Sequence, residues 1–132
     1  MIIYYSLTGH TKKVALKIAE KTEDKLYEVQ LDKPYQNNPL VVARFTKEKA
    51  LGVIPAAHKI TIDDHVIYLG YPMWGMDMSL AMQGFLTAND LSGKIIKPFI
   101  TSGTSTLKMS LKTLKKLAPD TIIDANFDPD TL

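Results

Sequence analysis

A loop rich in hydroxyl groups follows the first apolar run of the chain: Tyr5-Ser6-Leu7-Thr8-Gly9-His10-Thr11. The apolar run, Ile2 to Tyr5, predicts a strand, and the pattern that begins near Thr11 predicts an amphipathic helix. The N-terminus of a helix has unpaired backbone N–H groups and a partial positive charge, so this loop is suited to holding a phosphate. Taken alone, the same residues would also fit a turn that only caps the helix.

The composition indicates one globular domain, residues 1–132, with 45% hydrophobic and 23% charged residues. The formal net charge of +2 is too small to indicate a nucleic-acid partner. No apolar run reaches the ~18 residues of a membrane span, and no signal peptide is visible, so we expect a cytoplasmic protein. The absence of cysteine excludes disulfides and thiolate chemistry, and the histidine spacing gives no metal pattern.

Strand and helix patterns alternate along the chain, which predicts an α/β fold with an open parallel sheet and helices on both faces. The run Val66 to Tyr71 is almost wholly apolar, as expected for a strand buried on both faces, whereas Leu26 to Leu31 alternates like an edge strand. The predicted strands cover residues 2–5, 26–31, 66–71, 95–101 and 121–124, and the predicted helices cover 11 onward, 39–51, 79–86 and 107–117.

Three glycine-containing loops follow the strands that we place at the centre of the sheet: residues 6–11, 72–77 and 101–105. Ligands of open parallel sheets bind beyond the carboxyl ends of the strands, where the strand order reverses. We therefore expect the three loops to converge on a single ligand.

The same three regions resemble flavodoxins. The segment Tyr4 to Ala15 resembles their phosphate loop and first helix, and Leu69-Gly70-Tyr71-Pro72-Met73-Trp74 resembles the stretch that places a tryptophan beside the flavin. The segment Gly93 to Gly103 resembles the strand and loop that form the third part of the FMN site. The resemblance covers about residues 1–124 and implies five parallel strands in the order 2-1-3-4-5, with FMN as cofactor.

The resemblance also implies which residues bind the cofactor. The hydroxyls of Ser6, Thr8 and Thr11 would donate to the FMN phosphate, and the ring of Trp74 would stack on the flavin. No aromatic residue occurs in 101–105, so one flavin face is expected to be more open than in many flavodoxins. No side chain is expected to act as a catalytic acid, base or nucleophile. The full predicted set is Ser6, Leu7, Thr8, Gly9, His10, Thr11, Pro72, Met73, Trp74, Gly75, Thr101, Ser102, Gly103, Thr104 and Ser105.

Two features do not fit the predicted fold. Pro98 lies inside a strand predicted to be central, where its missing N–H would interrupt the ladder, so we expect a local bulge. Only Ala125 to Leu132 follow the last predicted strand, where flavodoxins usually have a helix. Part of the sheet face beside the first helix should then be uncovered, and we expect a homodimer or another partner to close it.

The sequence leaves the activity open between three possibilities. The resemblance implies an FMN-binding electron carrier that serves a redox partner protein or a small-molecule acceptor. One alternative is an FMN-dependent reductase of quinones or nitro compounds that uses NAD(P)H, and the other is a flavodoxin-like binding module without flavin. The lysine series between Lys108 and Lys116 predicts a solvated helix face, with the docking of an acidic redox partner as its alternative.

Overall fold

Strands and helices alternate along the whole chain in the computed structural model, which describes residues 1–132. The elements are β1 (Ile2–Tyr4), α1 (His10–Thr22), β2 (Leu26–Glu28), α2 (Leu40–Leu51), β3 (Val66–Trp74), β4 (Asp77–Met78), α3 (Leu80–Ala88), β5 (Ile95–Thr101), α4 (Leu107–Leu117) and β6 (Ile122–Ile123), followed by a 3₁₀ turn, Pro129–Thr131.

The principal strands form one parallel sheet in the order β2-β1-β3-β5-β6. This arrangement confirms the predicted α/β fold and its strand order. The short strand β4 was not predicted; it folds back antiparallel on the end of β3, where Trp74 pairs with Asp77. The sheet therefore places the loops after β1, β3 and β5 side by side at the carboxyl ends of the strands.

The two faces of the sheet carry cores of unequal size. Phe85 of α3 and Leu114 of α4 belong to a cluster of 17 buried residues on one face. On the other face, Ala15 and Ile18 of α1 pack in a cluster of 6 buried residues. Helix α2 contains no buried residue, although Phe45 packs against the larger cluster. The helix begins one residue later than predicted, since Pro39 and not Asn38 is its N-cap, although Asn38 Oδ1 accepts a hydrogen bond of 2.9 Å from the N–H of Leu40.

The predicted bulge at Pro98 is wrong. Strand β5 pairs with β3 without interruption, and Pro98 lies opposite Leu69. On the other side of β5, the carbonyls of Lys94 and Ile96 accept hydrogen bonds from β6 and the residue after it, so the even-numbered positions face β6. Because β6 ends at Ile123, the missing N–H of Pro98 lies where this ladder stops and disrupts no pairing.

The C-terminal residues cover part of the sheet face beside α1. The Phe127 ring packs on the Tyr68 ring with centroids 5.3 Å apart, and the Lys97 ammonium lies 5.8 Å from the Tyr68 centroid. Tyr68 is only 8% exposed, so the uncovered area is narrower than the sequence suggested. Ile122, at the margin of the sheet, remains 66% exposed. Closure of this strip by a second subunit stays a prediction.

Candidate functional site

A cleft of about 550 Å³ lies at the carboxyl ends of β1, β3 and β5. All three predicted loops contribute to it, so the structure brings together segments that are far apart in the sequence. Ile100 is the one lining residue that was not predicted. The predicted residues that line the cleft are Thr8, His10, Pro72, Thr101, Ser102 and Gly103.

The N-terminus of α1 offers backbone donors to this cleft region. Gly9 precedes the helix with φ 97°, a conformation that costs an L residue free energy because of its Cβ. The Ser6 Oγ accepts hydrogen bonds from the backbone N–H groups of Gly9 and Lys12, at 3.1 and 3.2 Å. The N–H groups of Thr8, His10 and Thr11 donate to no atom of the chain. Three unpaired donors at a helix N-terminus suit an anion.

Hydroxyl groups connect the first loop to the third. Thr11 is 2% exposed, and its Oγ1 lies 2.6 Å from the Oγ1 of Thr101. This bond joins the start of α1 to the end of β5 and uses one of the two hydroxyl protons. Thr8 Oγ1 lies 3.1 Å from Nδ1 of His10 at the exposed end of the first loop. The side chains of Thr8 and His10 are exposed, and that of Ser6 is half-buried.

The loop after β5 has unpaired backbone donors as well. Ser102 Oγ accepts a 2.8 Å hydrogen bond from the N–H of Ser105, which fixes the turn into α4. The N–H groups of Ser102, Gly103 and Thr104 have no acceptor within the chain. The N-cap of α4 is Thr106, so Thr104 and Ser105 precede the cap and do not line the cleft. No aromatic side chain contributes to the cleft wall.

Trp74 lies beside the cleft but does not line it. Its ring stacks on Phe45 of α2, with centroids 5.1 Å apart and an interplanar angle of 21°. The rings of Tyr35 and Tyr5 meet it edge-on at 5.0 and 5.8 Å. Met73 and Gly75 are likewise absent from the cleft wall. Stacking of Trp74 on a flavin stays a prediction and would require the indole to leave these ring contacts.

Polar groups hold this aromatic cluster together. The Tyr35 hydroxyl donates to Glu48 Oε1 at 2.9 Å, and the Arg44 guanidinium lies 3.9 Å from the Tyr35 ring centroid. Burial raises the pKa of Tyr35 well above its ordinary value, and the hydrogen bond to Glu48 contributes a smaller part of this increase. Burial likewise raises the pKa of Tyr5 to about 12. The sequence analysis missed this cluster; its one local signal was the i,i+4 spacing of Arg44 and Glu48.

The comparison with protein families agrees with the observed fold. A family model described as flavodoxin matches residues 1–127. The chain belongs to the flavodoxin family. No curated protein matches this flavodoxin. None of its helices combines the length and the apolar character that crossing a bilayer requires.

Solved structures share the flavodoxin fold with this chain. A candidate flavoprotein from Bacteroides uniformis superposes with a TM-score of 0.81 at 28% identity, over 93% of this chain and 85% of its own. A second candidate flavoprotein, from Bacteroides eggerthii, gives a TM-score of 0.77 at 27% identity and coverages of 98% and 90%. A Lactobacillus acidophilus flavoprotein, crystallised in complex with FMN, gives 0.74 at 21% identity, with coverages of 93% and 87%.

Proposed function

We propose that this flavodoxin binds FMN in the cleft and serves as an electron-transfer protein. The observation that carries the proposal is the set of unpaired N–H groups of Thr8, His10 and Thr11 at the cleft end of α1. Membership of the flavodoxin family and the FMN complex of the Lactobacillus acidophilus relative support the choice of cofactor.

The residues of the cleft fit FMN at both of its ends. The free N–H groups of the first loop and the hydroxyls of Ser6 and Thr8 would hold the phosphate. The free N–H groups of Ser102 and Gly103 would donate to the polar edge of the ring. Pro72 would form the wall between them. The Thr11–Thr101 bond would keep the two ends at a fixed separation.

Bound FMN supplies the redox chemistry, because the flavin ring accepts and releases one or two electrons. The chain supplies binding, orientation and exclusion of water. No side chain of the cleft needs to act as an acid, base or nucleophile. The electrons would pass to a redox partner protein or to a small-molecule acceptor.

The lack of an aromatic wall in the cleft favours a second candidate function. A flavin whose face is not covered by an aromatic ring is open to small substrates. The second candidate is therefore an FMN-dependent reductase of quinones or nitro compounds that takes its electrons from NADH or NADPH.

FMN binding is tested by calorimetric titration of the flavin-free protein and by the visible absorbance of the loaded protein. We expect Thr8→Val to weaken FMN binding about tenfold, since it removes a hydrogen bond to a charged group. Thr46→Val is the matched control, because Thr46 is an exposed threonine of α2 outside the cleft. Absence of FMN uptake by the unmodified chain would overturn the proposal and favour a binding module without flavin.

The carrier and the reductase are separated by steady-state oxidation of NADH and NADPH by the FMN-loaded protein, with and without a quinone. A carrier gives no quinone-dependent turnover but exchanges electrons with a reduced redox protein. Rapid turnover of either nicotinamide with the quinone would assign the reductase activity instead.

A further inference from the structure

A second cavity, of about 290 Å³, lies between α2 and α4 and shares no lining residue with the cleft. The end of β3 separates the two spaces: Pro72 lines the cleft, and Trp74 lines the cavity. Half of the residues lining the cavity are hydrophobic. They are Phe45, Val53, Ile54, Trp74, Met78 and Leu80.

Aromatic rings form part of the cavity wall. Phe45 and Trp74 stack on each other with an interplanar angle of 21°, and Tyr35 braces Trp74 from the side. Flat apolar ligands bind well against such rings, because stacked and edge contacts add to the burial of apolar area.

The two carboxylates that line the cavity already have partners. Glu48 accepts a hydrogen bond from the Tyr35 hydroxyl, and its Oε1 lies 3.4 Å from Nε of Arg44. Asp77 accepts from the N–H of Met78 at 2.7 Å and from the Thr113 hydroxyl at 2.8 Å. Both carboxylates are therefore held in place by the fold.

The lysine ammonium groups that line the cavity have fewer partners than the two carboxylates. Lys49 Nζ donates one hydrogen bond, to the carbonyl of Gly75 at 3.0 Å. The Lys116 ammonium makes no ion pair and donates no hydrogen bond within the chain. The two lysines and two carboxylates that line the cavity balance formally, but Arg44, outside the cavity, pairs with Glu48, so only Asp77 is left to offset the two lysines.

We propose that this cavity binds a small planar aromatic molecule that carries one carboxylate. The ring would lie against Trp74 and Phe45, and the carboxylate would meet the ammonium groups of Lys49 and Lys116. This site does not depend on FMN, although the strand that forms its wall also borders the cleft.

The test uses 2-naphthoate as the anionic probe and 2-naphthamide as its neutral counterpart, with both the flavin-free and the FMN-saturated full chain. Binding is measured by calorimetry and by the indole N–H resonance of Trp74, the only tryptophan of the chain. We expect 2-naphthoate to bind about tenfold more tightly than the amide and to shift the indole resonance. Equal affinity for the two probes, or an unmoved indole resonance, would overturn the proposal.

Two pairs of variants locate the site. Lys116→Gln should weaken 2-naphthoate binding about tenfold, whereas Lys115→Gln, at the adjacent exposed position outside the cavity, should leave it unchanged. Val53→Phe should block the cavity, and Val42→Phe, at another exposed valine, is its control. A loss of binding that is the same in both members of a pair contradicts the assignment.

The FMN titration keeps this result separate from the proposed function. All four variants should take up FMN as the unmodified chain does, because none of the changed residues lines the cleft. Displacement of 2-naphthoate by FMN would place the probe in the cleft and would count against the second site. If the unmodified chain binds 2-naphthoate but not FMN, the second site stands while the proposed function fails.

Discussion

The cleft and the cavity lie on either side of the end of β3, yet they are built from different parts of the chain. Backbone N–H groups and hydroxyls of two loops supply the donors of the cleft, and each loop is continuous in sequence. Side chains from α2, α3, α4 and the β3–β4 hairpin form the cavity. The cleft therefore depends on backbone conformation, and the cavity depends on how separate elements pack.

The largest effect is expected on the cavity side, from Gly84→Ala. A Cβ at Gly84 of α3 would collide with the carbonyl oxygen of Pro55, which is backbone and cannot rotate away. We expect a loss of about 3 kcal/mol in the free energy of unfolding, measured by urea denaturation. Gly103→Ala in the cleft is the control and should change stability by less than about 0.5 kcal/mol, because nothing lies near its Cβ. Equal midpoints would show that α3 does not pack on Pro55.

The second prediction compares Gly9, in the loop beside the cleft, with Gly52, which lines the cavity. Gly9 and Gly52 both have positive φ, 97° and 68°, and neither has an atom within contact of an added Cβ. Each Gly→Ala change should cost about 1–2 kcal/mol of stability, because the left-handed conformation is strained for alanine. Only Gly9→Ala should also weaken FMN binding. Similar FMN affinities for the two variants would contradict the dependence of the cleft on this backbone turn.

A smaller effect concerns the hydrogen bond between Thr11 and Thr101. The change of either residue to Val removes the 2.6 Å contact and leaves one hydroxyl without its partner. The single variants and the double variant form a cycle, and we expect a coupling of about 1 kcal/mol in the free energy of unfolding. A coupling near zero would show that the two loops are not joined through this bond.

The effect that is smallest at neutral pH appears only in alkaline solution and concerns Tyr5, which contacts Trp74 between the two regions. Burial raises its pKa from 10.0 to about 12, so the folded state favours the protonated hydroxyl. The stability that this provides is complete below pH 10 and is lost as the pH rises through about 12. Tyr5→Phe should flatten the fall in stability over this interval. An unchanged alkaline limb in denaturation midpoints would argue against the buried position of the hydroxyl.

The parts of the molecule that follow local patterns could be predicted from the sequence. The alternation of strands and helices and the meeting of the three loops follow from apolar runs and from glycine and hydroxyl residues next to them, whereas the strand order was implied by the resemblance to flavodoxins. The predicted strand 26–31 extends three residues beyond β2. The chain diverges from β1 after Val29, and Leu31 forms an isolated bridge with Ala57 instead. Strand β4 has only two residues, too few to show a period.

The surroundings of Trp74 depend on contacts that no local pattern contains. Phe45 lies on α2 and Tyr35 on the preceding loop, and both contact Trp74 only through tertiary packing. The sequence indicated a tryptophan beside the cofactor site, and it could not indicate which way the ring turns. The cavity between α2 and α4 was missed for the same reason.

Pro98 also bears on the solubility of the chain. Strand β6 pairs with only two residues of β5, so the backbone of β5 beyond Ile96 has no strand partner on that side, and Pro98 is buried there. An intruding strand from another molecule would need backbone donors there, and proline supplies none at the position where β6 ends. A short final strand followed by a proline on its neighbour is thus a safeguard against edge-to-edge aggregation.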